Sequence, residues 1–195
     1  MKRMIALVGE PATGKTTCMR EFMSELADDW EEGKLSSAPE FKLVQGAISR
    51  STGAMVLGLY QTAKRAEFGG TDMLSMAVMP QVLQWLAYQS PALVIFEGDR
   101  LGSANFFEQV QAMGYELVIL YLTADREVVA SRHVDRGDEQ SDSFINGRKT
   151  KIAKITTNFD LMDSVEEYPN NTPSDKASIV QRMLEAARAL NSQEV

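Results

Sequence analysis

Nine residues near the amino terminus, Gly9-Glu10-Pro11-Ala12-Thr13-Gly14-Lys15-Thr16-Thr17, have the types and the spacing to hold a polyphosphate. They fit G-x-x-x-x-G-K-[ST], the Walker A pattern. A triphosphate carries several negative charges and has to be wrapped by donors without steric obstruction. Gly9 and Gly14 open backbone dihedrals closed to other residues, so successive N–H groups turn inward as an anion nest. In such a loop Lys15 reaches the β- and γ-phosphates, and the Thr16 hydroxyl ligates the Mg²⁺ that bridges them. The bland alternative is a glycine turn that binds nothing.

A second stretch, Phe96-Glu97-Gly98-Asp99-Arg100, places two carboxylates and a guanidinium directly after an apolar run. An acid closing a buried strand is the Walker B pattern. Glu97 is a candidate to hold Mg²⁺, directly or through water. Either Glu97 or Asp99 can take the proton of an attacking hydroxyl, and Arg100 can anchor a phosphate on the acceptor. The alternative is a surface ion pair between Asp99 and Arg100 at a turn. Further along, Arg132 and Arg136 are four residues apart and share a helix face, so two guanidinium forks can converge on transferring phosphates as part of a lid. Asp135, Asp138, Glu139 and Asp142 can instead neutralise them on an ordinary solvated surface.

These groups need elements to position them. The run Met4-Ile5-Ala6-Leu7-Val8 is a buried strand that delivers the loop, and Met19, Phe22, Met23, Leu26 and Trp30 recur at helical spacing behind it, which predicts a helix to about residue 30. Residues 41–48 and 54–60 read as two strands around a turn with Gly53, a hairpin that a simple alternating α/β chain does not need and hence a candidate substrate-side insertion over about 41–72. Arg50 in that turn is a candidate substrate contact. Gly69-Gly70-Thr71-Asp72 approaches a helical pattern over 73–88 that Pro80 kinks or restarts. Thr71 and Asp72 either cap that helix or touch substrate.

Pro91 to Phe96 is too uniformly apolar for a half-exposed strand and belongs inside a parallel sheet, whose carboxyl edge then carries Glu97, Asp99 and Arg100 beside the phosphate loop. A helix over 103–113, a strand over 115–122, a lid helix after Asp125, a short strand over 165–168 and a closing helix over 174–190 complete the pattern. The loop between the last strand and that helix, Pro169 to Pro173, lies over the adenine in a nucleotide-kinase arrangement, or is a plain turn. The expected fold is α/β: a three-layer P-loop NTPase domain spanning 1–195, with a mainly parallel sheet, a hairpin insertion and a helical lid over about 126–154.

The composition sets bounds. The chain has 195 residues, 44% of them hydrophobic, which is enough for one sizeable core. No repeat appears, no apolar run approaches the ~18 residues of a membrane span, and the first core strand begins at once, so a soluble, cytoplasmic protein is expected. Cys18 is the single cysteine and reads as a small buried hydrophobe. A net charge of −7 argues against a surface that attracts nucleic acid everywhere. Residues 146–154 are the local exception, with four cations, Arg148, Lys149, Lys151 and Lys154, and no acid. They bind phosphates of ATP or of a polymeric acceptor, or they face solvent as a helix-end cluster. Asp99-Arg100-Leu101-Gly102 also fits the D-x-x-G of GTPases, yet no N-K-x-D follows. Phosphoryl transfer to an acceptor fits better than a switch or a motor.

The phosphate loop, Phe68-Gly69-Gly70-Thr71-Asp72-Met73-Leu74-Ser75-Met76 and Phe96-Glu97-Gly98-Asp99-Arg100-Leu101 together resemble the bacteriophage 5-hydroxymethyluridine DNA kinases. The resemblance spans most of the chain. It implies ATP and Mg²⁺ as cofactors, modified-base DNA as partner, and transfer of the γ-phosphate to the 5-hydroxymethyl group of a modified thymine, within the host cytoplasm. A deoxynucleoside monophosphate kinase is the alternative, because Asp99-Arg100 is similar to the acid–arginine pair of thymidylate kinases. An ATP-dependent binding switch is the non-enzymatic one.

Overall fold

The structure, a computed structural model, describes residues 1–61, 69–136 and 142–191, and the side chains of all of these except 136, 142–145 and 191. Among the described residues a seven-stranded sheet runs in the order β2-β3-β4-β5-β1-β6-β7. The strands are β1 (Lys2–Gly9), β2 (Trp30–Lys34), β3 (Gln45–Ser49), β4 (Met55–Leu57), β5 (Leu93–Glu97), β6 (Tyr115–Thr123) and β7 (Val165–Pro169). The helices are α1 (Lys15–Leu26), α2 (Val78–Gln89), α3 (Ala104–Ala112), α4 (Arg126–Arg136), α5 (Asp142–Thr156) and α6 (Pro173–Asn191).

The uniform apolarity of β1 has a direct cause. Met4, Ala6 and Val8 enter one core while Ile5 and Leu7 enter the other, so successive side chains are buried on opposite faces. One face is covered by α1 and α6 through Cys18, Met19, Phe22, Ile179, Met183 and Leu184. The other is covered by α2 and α3, where the Phe96 ring of β5 meets Phe106 at 5.7 Å and Phe107 at 6.0 Å between centroids. The three-layer α/β arrangement with a mostly parallel sheet is therefore the one the sequence pattern called for. Parallel β4, β5, β1, β6 and β7 all point their carboxyl ends to one edge, and the phosphate loop lies there.

Two elements differ from expectation. The first helix stops at Leu26, where Ala27 turns extended, and the residues beyond form the edge strand β2. Trp30 keeps its helical spacing for a different reason. Its indole N–H donates to the Met23 carbonyl at 2.8 Å and covers the helix end from the strand. The hairpin of β3 and β4 is woven into the main sheet instead of standing apart from it. β4 runs parallel to β5 with Val56 opposite Ile95, and Ala47, Val56 and Leu57 are fully buried.

Pro80 occupies the first turn of α2 and marks a restart, as Pro tolerates there. Neither Thr71 nor Asp72 caps that helix. They form a separate short turn with Met73. Beyond β6, α4 and α5 make up the region expected as a lid, and α5 is anchored to the body by Ile152 and Ile155, both buried. Asp138 and Glu139, and the side chains of Arg136 and Asp142, lie outside the described residues. Among the described residues no helix is long and apolar enough to cross a membrane.

Candidate active site

The loop between β1 and α1 takes the shape its glycines permit. Gly14 enters α1 at φ 88°, and a Cβ there would lie 2.4 Å from the Asn170 side-chain nitrogen, so both the dihedral and the close approach demand glycine. Ala12, at φ 62°, also adopts the left-handed conformation. Thr13 closes the turn from within, its hydroxyl donating to the Glu10 carbonyl at 2.8 Å. Lys15 is 8% exposed, and its ammonium donates to the carbonyls of Gly9 and Glu10 at 2.8 Å each. The cation is thus folded back over the loop that polyphosphate would fill.

Glu97, 2% exposed at the end of β5, accepts a hydrogen bond from the Thr16 hydroxyl at 2.8 Å. This is a hard-oxygen set of the kind Mg²⁺ takes, one carboxylate and one hydroxyl. Thr16 and Glu97 fit the ion expected there. Mg²⁺ held there would supply charge neutralisation on the β- and γ-phosphates.

Glu97 is walled in by the glycine-rich segment. Gly70 adopts φ 76°, and a Cβ on it would come 2.4 Å from Glu97 Oε1. Thr71 is fully buried and donates its hydroxyl proton to the Glu97 carbonyl oxygen at 2.8 Å. Asp72 Oδ1 accepts from the Asp99 backbone N–H at 2.9 Å, and Arg100 Nε donates to the Leu74 carbonyl at 3.3 Å. Arg148 of α5 pairs with the Asp99 carboxylate, and Lys151 donates to the Asp99 carbonyl. Burial lowers the pKa of both cations, and for Lys151 the nearby Arg148 lowers it further. Thr71, Asp72, Asp99, Arg100 and Arg148, distant in sequence, therefore meet beside Glu97. The expected Asp99–Arg100 pair gives way to Asp99–Arg148.

Arg50 is placed elsewhere. It lies in the β3–β4 turn, at the amino-terminal edge of the parallel strands, and forms an exposed ion pair with Glu31 at 2.8 Å. Because β4 is parallel to β5, the turn that precedes it has to lie on the edge opposite the phosphate loop. Arg132 does reach the loop. It donates to the Ala12 carbonyl at 3.0 Å and to the Asn170 carbonyl at 2.8 Å, so it lies on the nucleotide side of the loop.

Sequence reasoning missed two participants. Asn170, 3% exposed, donates to the Thr13 carbonyl at 2.7 Å and its backbone N–H to the Thr123 carbonyl at 2.8 Å, tying the β7–α6 loop to the phosphate loop. An asparagine in a turn-rich stretch gives no hint of this. Tyr60, 3% exposed, buries its hydroxyl without a hydrogen-bond partner among the described residues. Burial, and then the Glu97 charge, pushes its pKa well up, so the phenol keeps its proton. The Arg132–Asn170 contact borders a cavity of about 620 Å³, lined by Gly14, Thr17, Arg20, Asn171 and Pro173 among others, which is ample for a nucleoside. The loop expected over an adenine thus forms one wall of a space beside the phosphate loop.

Cys18 lies beneath this loop, and burial, then the Glu21 charge, pushes its thiol up to about 12. The native protein is expected to resist alkylation by iodoacetamide at pH 8, where the thiolate is scarce, and to react after denaturation. Mass spectrometry of the two samples checks this, and rapid native labelling would contradict the burial.

Eighty-seven solved chains match in fold. They include a sugar kinase from Janibacter sp. HTCC2649 in an unliganded structure, with TM-score 0.54, 13% identity and coverage of 97% of this chain and 98% of that one. A gluconokinase from Sinorhizobium meliloti 1021 has TM-score 0.49 and 16% identity, over 97% of this chain and 94% of that one. A shikimate kinase from Acinetobacter baumannii, in complex with shikimate, has TM-score 0.44 and 19% identity, over 100% of this chain and 97% of that one. No curated protein matches at a significant level in sequence. The family described as P-loop Nucleotide Kinase3 matches residues 1–182, which include every group placed around the loop. A phosphate loop, an acid on the neighbouring strand and a match over nearly the whole chain agree: this chain belongs to the P-loop Nucleotide Kinase3 family and is a P-loop kinase-type phosphotransferase.

Proposed function

We propose that the chain transfers the γ-phosphoryl group of ATP to the 5-hydroxymethyl group of 5-hydroxymethyluracil in DNA. One observation carries the reading beyond a kinase in general: the two carboxylates at the carboxyl end of β5, Glu97 and Asp99, have separate partners. Glu97 is engaged with Thr16 on the metal side, whereas Asp99 faces a rim that also holds Asp72, Arg100, Arg148 and Lys151. An alcohol acceptor needs a group to take its proton, which a phosphate acceptor does not. A polyanionic acceptor needs cations, and in a chain of net charge −7 this rim concentrates them. The likeness of three motifs to the phage DNA kinases points to the same acceptor.

In this mechanism the loop N–H groups and Lys15 hold the β- and γ-phosphates, and Thr16 and Glu97 hold Mg²⁺. Arg132 closes the nucleotide side, and Arg136, four residues further along the chain, is assigned to the transferring group. Asp99 accepts the proton as the hydroxymethyl oxygen attacks. Thr71 and Asp72 shape the acceptor side, and Arg100 and Arg148 take its phosphates. The target base leaves the stack to reach the rim, as bases do in enzymes that act on them. Closure of the lid keeps out water that would otherwise hydrolyse ATP.

The description of the family as nucleotide kinases favours a second reading, a deoxynucleoside monophosphate kinase. Incubation with γ-labelled ATP and Mg²⁺ separates the two. Label in DNA containing 5-hydroxymethyluracil, and none in ordinary thymine DNA or in free monophosphates, is the expected result. Label appearing as a nucleoside diphosphate would replace the proposal with the second reading. Slow hydrolysis with no acceptor-dependent transfer would make the protein an ATP-dependent switch.

A further inference from the structure

Phosphoryl transfer alone does not require the contact that α5 makes with the acceptor rim. Arg148 and Lys151 are three residues apart on that helix, share a face, and both end on Asp99, one at the carboxylate and one at the carbonyl. The ion pair is largely covered, with 19% of the Arg148 side chain and 15% of the Asp99 side chain exposed. Arg100 stands on the same rim, held by the Leu74 carbonyl at 3.3 Å and the Asp72 carbonyl at 3.5 Å. Three cations, Arg100, Arg148 and Lys151, thus crowd the carboxylates of Asp72 and Asp99 beside Glu97. The Arg148 guanidinium covers the carboxylate oxygens of Asp99 that an acceptor hydroxyl would have to reach. Asp99 in this arrangement is masked.

We propose that Arg148 and Lys151 form a latch on Asp99 that the acceptor itself opens: phosphodiester groups flanking the target nucleotide draw the two cations away, and the released carboxylate then takes the proton of the acceptor hydroxyl. The proposal rests on the reading of Asp99 as proton acceptor. In the step it controls, the hydroxyl oxygen bonds to the γ-phosphorus, the bond from that phosphorus to the β–γ bridging oxygen breaks, ADP leaves with the electron pair, and the hydroxyl proton passes to Asp99. Without a phosphate-bearing acceptor the latch stays shut. Water in the site then meets no free base, and ATP is preserved.

Two assays on the full chain test the latch without any hydroxymethylated acceptor. In the first, ATP hydrolysis is followed with Mg²⁺ alone. Arg148→Gln is expected to hydrolyse about tenfold faster than the natural protein, and the double variant Asp99→Asn/Arg148→Gln to lose that rise. In the second, binding of single-stranded oligothymidylate is followed by fluorescence anisotropy over a range of salt. Arg148→Gln is expected to bind more weakly, with a salt slope smaller by about one. Hydrolysis that does not rise in Arg148→Gln, a rise that survives Asp99→Asn, or unchanged oligonucleotide binding would each overturn the latch. If both assays come out as expected while hydroxymethylated DNA is not phosphorylated, the latch stands and the acceptor proposed above is wrong.

Discussion

Lys15→Ala is expected to lower phosphoryl transfer by about a thousandfold or more while leaving the protein folded. The loss follows from geometry. Lys15 heads α1 inside the loop, where its charge would meet the β- and γ-phosphates as charge develops with lengthening of the bond to the leaving oxygen. The structural cost is small by comparison. The ammonium gives up two hydrogen bonds to the Gly9 and Glu10 carbonyls, which water can take over, and alanine is a good helix former at that position. Stability should change by no more than about 2 kcal/mol. Single-turnover transfer from ATP, measured beside a urea unfolding curve, separates the two effects. A folded Lys15→Ala protein with natural activity would remove the loop from the chemistry.

Glu97→Gln should separate activity from stability in opposite directions. The glutamine is nearly isosteric and its carbonyl can still accept from Thr16, so the wall formed by Gly70 and Thr71 is not disturbed. The charge, however, is gone. Transfer is expected to fall by about a hundredfold or more, and the Mg²⁺ concentration giving half of the remaining rate should rise. A carboxylate that is 2% exposed carries a desolvation cost that the neutral amide avoids, so the urea midpoint should stay level or rise. A variant with natural activity and an unchanged Mg²⁺ requirement would move the metal role to another group. A variant that lost activity only by unfolding would show it in the midpoint.

The parts of the site legible in the sequence are those in which one local segment supplies both the element and the chemistry. The nine-residue phosphate loop specifies a glycine-gated turn by itself, and β5 specifies its own burial and its acidic end. The hairpin shows the limit. Two short strands and a glycine turn were recognisable over 41–60, but nothing local says that β4 pairs with β5, and that pairing sends Arg50 to the far edge. Trp30 misled for a related reason: an aromatic at helical spacing covers a helix end equally well from a following strand.

By itself the sequence determined the α/β class, the phosphate loop with Lys15 and Thr16, and the acidic close of β5, because each depends on interactions within a few residues or on burial of both faces of one strand. Only the tertiary structure decided which charges share a site. Glu97 lies 81 residues from Thr16, Asn170 lies 157 from Thr13, and Arg148 of α5 reaches Asp99 across the rim. Such pairings follow from strand order and helix docking, the long-range consequence of burying every apolar face at once. No spacing along the chain encodes them.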